Sequence, residues 1–307
     1  MRDLWVEKYR PTDTSDYVFK DQSQRQQVEG WIRSKSIPHL LFSGAPGVGK
    51  TTLAKILINK LEVNPYDVLE INASRENSVN DIRDRVTGFV QTMPFGDFKV
   101  VLLDEADYMS PHGQAALRGV METYHATARF ILTCNYPHKI IPALHSRCQG
   151  FHIDRIDPVE FTARVATILV HENVEFELDT LDSYVKSKYP DLRKCLNACQ
   201  MNSQEGQLSL PAGNEGNSHD WKITVVDMFK TGKIREARAL LCQSVRPDDM
   251  DDLISWAYQN LSIWSSIPEE QDCAITIIRD AAANVPLITD HEINVAAMMS
   301  ELGRLKR

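Results

Sequence analysis

The run Gly44-Ala45-Pro46-Gly47-Val48-Gly49-Lys50-Thr51 fits G-x-x-x-x-G-K-[ST] at every fixed position. Three glycines let a backbone wrap a polyphosphate, so that successive N–H groups and the positive end of a following helix face anionic oxygens. Lys50 would then neutralise the β- and γ-phosphates, and the Thr51 hydroxyl would ligate a Mg²⁺ bridging them. Gly44, Ala45, Pro46, Gly47, Val48, Gly49, Lys50, Thr51 and the adjoining Thr52 are therefore the expected contacts of a bound ATP. A second set of polar residues lies in Lys99-Val100-Val101-Leu102-Leu103-Asp104-Glu105-Ala106-Asp107. Its apolar residues predict a buried strand, with two carboxylates at the end where ligands bind in open α/β sheets. Asp104 can hold Mg²⁺ through its water shell. Glu105 is placed to accept a proton from, or to orient, the water that attacks the γ-phosphate.

These groups need a scaffold, and apolar periodicity supplies one. Leu40-Leu41-Phe42, Val68-Leu69-Glu70-Ile71, Arg129 to Asn135 and Gly150 to Ile153 read as further short strands. Helical spacing follows the phosphate loop from Thr51 and recurs over Gln22 to Ser34, Val79 to Val90 and Pro111 to Tyr124, the last with Ser110 as N-cap. Asn135 would share the sheet edge of Asp104, near the γ-phosphate. Gln114 and Arg118, four apart, share a helix face. Arg75, Arg83 and Arg85 read first as a solvated surface paired with Glu76, Asp81 and Asp84. Arg147, before the last strand, reads by itself as a surface residue. The arm Trp5-Val6-Glu7-Lys8-Tyr9-Arg10-Pro11 is suited either to stacking on a base or to packing on a neighbouring helix.

At 307 residues and 34.9 kDa the chain exceeds what a single core usually serves, so two or three domains are expected. No apolar run approaches the ~20 residues that span a bilayer, and the N-terminus lacks a signal-like apolar region. The expected location is a cytoplasm, without membrane attachment. Six scattered cysteines show no zinc spacing, and Cys195 and Cys199 read as small core residues of one helix. Net charge is −8: residues 1–150 carry 18 basic against 17 acidic side chains, and 151–307 carry 16 against 25. Any nucleic-acid contact should therefore be a local patch of the first half. Helices are expected from Pro158 to about Glu172, from about Asp179 to Lys188 and from Pro190 to about Met201. Residues 203–219 have a linker's composition, and Trp221 to Arg307 read as four or five helices without a catalytic constellation.

With these residues in view, the chain resembles the AAA+ clamp-loader ATPases, the family of the replication factor C small subunits. The arm, the phosphate loop, Ile71-Asn72-Ala73-Ser74, Asp104-Glu105-Ala106-Asp107, Gln114-Ala115-Ala116-Leu117-Arg118, Thr133-Cys134-Asn135 and Ser146-Arg147-Cys148 carry the match in that order. The short helical third domain, with Pro190-Asp191-Leu192-Arg193 and His291-Glu292-Ile293-Asn294, looks most like the ATPase subunit of the T-even-type bacteriophage clamp loader. That origin would place the protein in a host cell's cytoplasm.

The resemblance implies an α/β AAA+ fold with a RecA-like parallel sheet over residues 1–153. A helical lid (154–203), a linker (204–219) and an all-α collar or oligomerisation domain (220–307) would follow. It implies that Tyr9 and Arg10 lie over the adenine and ribose, that Asn135 and Arg193 sense the γ-phosphate, and that Arg147 reaches the ATP of a neighbouring subunit. It further implies that Gln114 couples nucleotide to DNA, that Asn72 holds Glu105 off line until DNA binds, and that Arg75, Arg83 and Arg85 track the template backbone. The implied partners are a sliding clamp, primer–template DNA, a small clamp-loader subunit and further copies of this chain. Three departures stand out: Gly119 follows Arg118 where many small subunits have a second arginine, Pro190 replaces the usual lid glycine, and residues 75–80 do not follow the cellular pattern. The rival functions are another AAA+ motor, such as a branch-migration helicase or protein remodeller, and an ATP-binding scaffold subunit.

Overall fold

The computed structural model describes all residues except 1–2, 76–78, 154–155, 204–205, 211–220, 246–249, 286, 289 and 306–307, and the side chains of 79–82. Two compact units emerge, one comprising Met1–Arg164 with Pro190–Arg193 and the other Val165–Tyr189 with Lys194–Arg307.

The first unit is built on five parallel strands: β1 (Leu40–Gly44), β2 (Val68–Asn72), β3 (Lys99–Asp104), β4 (Ala128–Cys134) and β5 (Gln149–Ile153), in the order β2-β3-β4-β1-β5. The central strands are continuous apolar runs because both their faces are covered: all five residues of β1 are buried, whereas the edge strand β5 buries only Phe151 and Ile153. Helices α1 (Trp5–Lys8) and α2 (Gln22–Ser34) precede the sheet. Crossovers are made by α3 (Lys50–Lys60), α4 (Val79–Gln91), α5 (Pro111–Thr123) and the single turn α6 (Pro142–His145). The α3 helix buries Leu53, Ala54, Ile56, Leu57 and Ile58. Val101, Leu103, Phe130 and Leu132 pack in one cluster with Val86 and Val90 of α4 and Leu117 and Met121 of α5. Each fully buried aliphatic side chain of this kind contributes about 1.5–3 kcal/mol.

Register matters most for function. Asn72 pairs with Asp104, Ser43 with Cys134 and Gly44 with Ile153, so the strands end together. The phosphate loop, the Asp104-Glu105 step and Asn135 consequently emerge on one edge, beside the point where strand order reverses between β4 and β1.

The helix α7 (Pro158–His171) crosses from the first unit to the second. The second unit holds α8 (Leu178–Lys188), most of α9 (Leu192–Met201), α10 (Trp221–Lys230), α11 (Ile234–Ser244), α12 (Met250–Gln259), the single turn α13 (Leu261–Trp264), α14 (Pro268–Asn284) and α15 (His291–Leu302). Its core is aromatic: Phe229 and Trp264 meet edge to face at 4.9 Å, Trp256 and Trp264 at 5.7 Å, and Trp221 and Trp256 at 5.6 Å. The α8 helix packs here with α10, through Lys230 to Asp182 at 2.6 Å, and with α12, through the Trp256 indole N–H to the Ser187 carbonyl at 3.2 Å. Pro190 precedes α9 rather than opening it, since the helix begins at Leu192. Of the segment with linker composition, residues 204–205 and 211–219 lie outside the described residues. Residues 206–210 are ordered against the helices: Gln207 bridges Glu175, Leu208 is buried and the Tyr184 hydroxyl donates to the Ser209 carbonyl at 2.6 Å. Among the described residues no helix is long and apolar enough to cross a membrane, and no group of His, Cys, Asp and Glu forms a metal cluster.

Candidate nucleotide-binding and hydrolysis site

Each loop glycine is demanded by its surroundings. Gly44, Gly47 and Gly49 adopt φ of 152°, 77° and 92°. A Cβ at Gly44 would sit 1.9 Å from the Ile153 carbonyl oxygen, at Gly47 1.9 Å from Asp191 Oδ1 and at Gly49 2.9 Å from the Tyr17 ring. Any side chain there would both strain the backbone and collide with that neighbour. Tyr17 also donates to the Val48 carbonyl at 3.3 Å, bracing the loop from beneath. Lys50, first residue of α3 and 8% exposed, donates to the Gly44 and Ala45 carbonyls at 2.9 and 2.7 Å. Burial lowers its ammonium below the ordinary lysine range, against the pull of Asp104 and Asp107; Arg193 is near enough to add to the lowering.

At the end of β3, Asp104 Oδ1 accepts from the Thr51 hydroxyl at 2.7 Å and from the Thr133 hydroxyl at 2.6 Å. The Thr133 oxygen accepts in turn from the Glu105 N–H at 3.0 Å. Thr51 and Asp104 thus present hard oxygen donors side by side at the mouth of the glycine cradle, a set suited to Mg²⁺ and a polyphosphate. Glu105 has φ of 57°, a left-handed conformation that costs a non-glycine residue about 1–2 kcal/mol. Asp107, 7% exposed, accepts from the Asn135 and Tyr136 N–H groups at 3.1 and 3.0 Å and so ties the end of β4 to that of β3.

Gln114 is 1% exposed and donates from Nε2 to the Met109 and Lys139 carbonyls, both at 3.0 Å, while its Oε1 accepts from the Ile141 N–H at 2.8 Å. One amide therefore fastens α5 to the segment joining Asn135 to Arg147. Arg118 is exposed on α5, 3.7 Å from Glu122, which also pairs with Arg147.

The remaining expected residues have plainer settings. Asn72 lies beside Asp104 in register, and its Oδ1 accepts from the Ser74 N–H at 2.9 Å and hydroxyl at 2.7 Å. Arg75, Arg83 and Arg85 are exposed; Glu76 and the side chain of Asp81 lie outside the described residues. Tyr9 and Arg10 are half-buried: Arg10 pairs with Glu7 at 2.7 Å, and Arg164 holds the Tyr9 carbonyl at 3.1 Å. Arg193 is exposed on the first turn of α9. Sequence reasoning gave no role to Tyr17, Thr133 or Asp191, and quoted Asp107 without one. The signal for Thr133 and Asp107 is a polar residue at the end of a buried apolar strand or just beyond it. Tyr17 and Asp191 carry no local signal.

Three comparisons place this geometry among known proteins. Residues 40–153 match the model of the ATPase family associated with various cellular activities (AAA). The replication factor C small subunit of Methanococcus vannielii is 32% identical over all of both chains. That of Aeropyrum pernix is 39% identical over 77% of this chain and 71% of its own. Among solved structures, the Holliday junction branch migration motor RuvB of Thermotoga maritima superposes with a TM-score of 0.56 over 75% of this chain and 74% of that one. At 15% identity this last likeness is one of fold.

Proposed function

This chain belongs to the replication factor C small subunit family, and on that premise we propose that it is an ATPase subunit of an assembly that opens a sliding clamp, admits primer–template DNA and releases the closed clamp upon hydrolysis. The observation that carries the shared-site reading is the placement of Arg147. It follows α6 and precedes β5, at the amino end of the sheet, where Gln149 pairs with Leu40. The phosphate loop leaves the carboxyl end of β1, five residues further along, or about 15 Å at the usual strand rise. Arg147 therefore lies at the opposite end of the sheet from the chain's own phosphate loop, which favours a role at a neighbour's.

In this reading the glycine cradle and Lys50 bind the phosphates, and Thr51 with Asp104 hold Mg²⁺. A metal held by these two residues would supply positive charge against the negative charge that develops on the phosphate oxygens during hydrolysis. Glu105 orients and deprotonates the attacking water, while Asn135, set by Asp107, and Arg193 sense the γ-phosphate. Tyr9 and Arg10 cover the base and ribose. Asn72 holds Glu105 off line until DNA binds, Gln114 couples the nucleotide site to DNA, and Arg75, Arg83 and Arg85 track the template backbone phosphates, with Arg118 in contact with DNA or part of the coupling. Tyr66, Met93 and Phe95 form an exposed apolar group in the first unit, at 77%, 82% and 75%. This apolar group is held from below by buried Asp67, which accepts from the Phe95 and Gly96 N–H groups, both at 2.8 Å. Residues 154–203 would act as the lid and 220–307 as the collar that joins copies of the chain with a small subunit. A bacteriophage origin rests on the resemblance of the short helical third domain, with Pro190-Asp191-Leu192-Arg193 and His291-Glu292-Ile293-Asn294, to the T-even-type loader subunit.

The readings as a different AAA+ motor or a scaffold are not favoured: the 32% and 39% identities lie with replication factor C, and the set expected for hydrolysis is intact. The test is steady-state ATPase with DNA and clamp together. Arg147→Ala should abolish stimulated turnover while ATP binding persists, and Glu105→Gln should trap an ATP-bound complex on DNA. Loss of binding in the first variant, or turnover indifferent to the clamp, would refute the assignment.

A further inference from the structure

Glu122 occupies the last turn of α5, where the helix dipole disfavours a carboxylate. Its Oε1 is shared by two cations from different elements: Arg118, one turn back and 3.7 Å away, and the Nη2 of Arg147, beyond α6. Among the described residues, Arg147 is otherwise held through Nη1 alone, to the Ala143 carbonyl at 2.9 Å and the Ser146 hydroxyl at 3.2 Å. Both of those acceptors belong to the short turn that carries Arg147 itself. Glu122 is therefore the contact that fixes the far end of the guanidinium plane relative to the sheet and α5. A guanidinium bound at one nitrogen keeps rotational freedom, whereas one bound at both has a defined plane.

We propose that Glu122 is a positioning residue for hydrolysis at the neighbouring subunit's site, orienting Arg147 from the α5 helix that also carries Gln114 and Arg118. This rests on Arg147 acting in trans. Removing the carboxylate leaves Arg147 in place but unoriented, so turnover falls while the variant's own nucleotide site is untouched.

The test uses loaders assembled from the full chain and the subunits that co-purify with it, on primer–template DNA with clamp. Glu122→Ala should lower kcat roughly tenfold with the KM for ATP unchanged, a loss confined to the reacting state. Glu122→Gln, which keeps an acceptor oxygen, should recover most of it. Assemblies mixing Glu122→Ala with Lys50→Ala chains should regain turnover per competent site, because Lys50→Ala chains donate an intact Arg147 to their neighbours. Unchanged kcat, raised kcat, or equal loss of ATP affinity would each overturn the proposal, as would failure of the mixture to recover. Arg147→Ala run in parallel separates the two ideas: normal turnover there defeats the trans role itself, whereas a dead Arg147→Ala beside a normal Glu122→Ala defeats only the positioning role.

Discussion

The two units bury polar groups in different ways. In the strand-based unit, Thr133 reaches Asp104 across 29 positions, Gln114 reaches Lys139 across 25, and Asp107 and Asp67 each accept backbone N–H groups 28 or more residues away. In the helical unit the buried hydroxyls and amides mostly find a carbonyl one turn back: Ser183 to Asp179, Ser187 to Tyr184, Ser203 to Cys199 and Asn260 to Trp256. Local satisfaction lets a helix keep a polar residue without specifying anything about its neighbours. Long-range satisfaction fixes strand ends relative to one another, which a site assembled from three strands requires. The first unit is built to hold atoms in place, the second to hold helices together.

That contrast yields graded expectations. The largest effect should come from Trp264→Ala, which empties the centre of the aromatic cluster; urea unfolding of the helical unit should lose about 3–5 kcal/mol. ATP affinity of the other unit, read by a fluorescent analogue, should be retained, and a parallel loss there would show that the division is not functional. Lys50→Ala should do the reverse. Removing a charge-assisted contact to phosphate costs about 2–3 kcal/mol, roughly thirty- to 150-fold in affinity, with little change in unfolding midpoint. Asp107→Asn is subtler because the side chain keeps its shape while losing the charge that holds two N–H groups. Turnover should fall by about tenfold and ATP affinity by much less, and equal losses would remove its role in setting Asn135.

The smallest effect concerns His39, whose Nδ1 accepts from the Phe130 N–H at 3.2 Å at the start of β4. Burial, with Arg129 and His125 nearby, lowers its value from 6.5 to about 4. A group held neutral in the fold contributes stability above its unfolded value and loses that contribution as pH falls from 6.5 through 4. The ring is partly exposed, so solvent screening reduces the effect to on the order of 1 kcal/mol. His39→Gln should flatten the decline in unfolding midpoint between pH 7 and 4.5, and a slope equal to wild type would assign the acid loss elsewhere.

The strand-based unit was also the more legible in sequence. Helices at Gln22–Ser34 and Val79–Gln91, the Ser110 cap and every strand end fall within about two residues of where apolar period and capping chemistry put them. The helical unit was read correctly as helices but not as a whole. Its periodicity shows that α8 has an apolar face and does not show that Trp256 and Lys230 would meet it.

What the sequence by itself determined is everything carried by contiguous residues: the glycine cradle, the lysine and threonine that open α3, the apolar runs that must become buried strands, and the carboxylates that follow one of them. A motif of eight residues folds the same way wherever its flanks allow, because its geometry depends on φ and on hydrogen bonds within reach. Tertiary structure alone decided that Thr133 would join Thr51 on Asp104, that Asp191 would stand against Gly47, and that Arg147 would lie at the sheet edge opposite its own phosphate loop. Those relations depend on strand order and register, and interchangeable short apolar strands do not encode them one at a time; the order is chosen by the packing of all of them together.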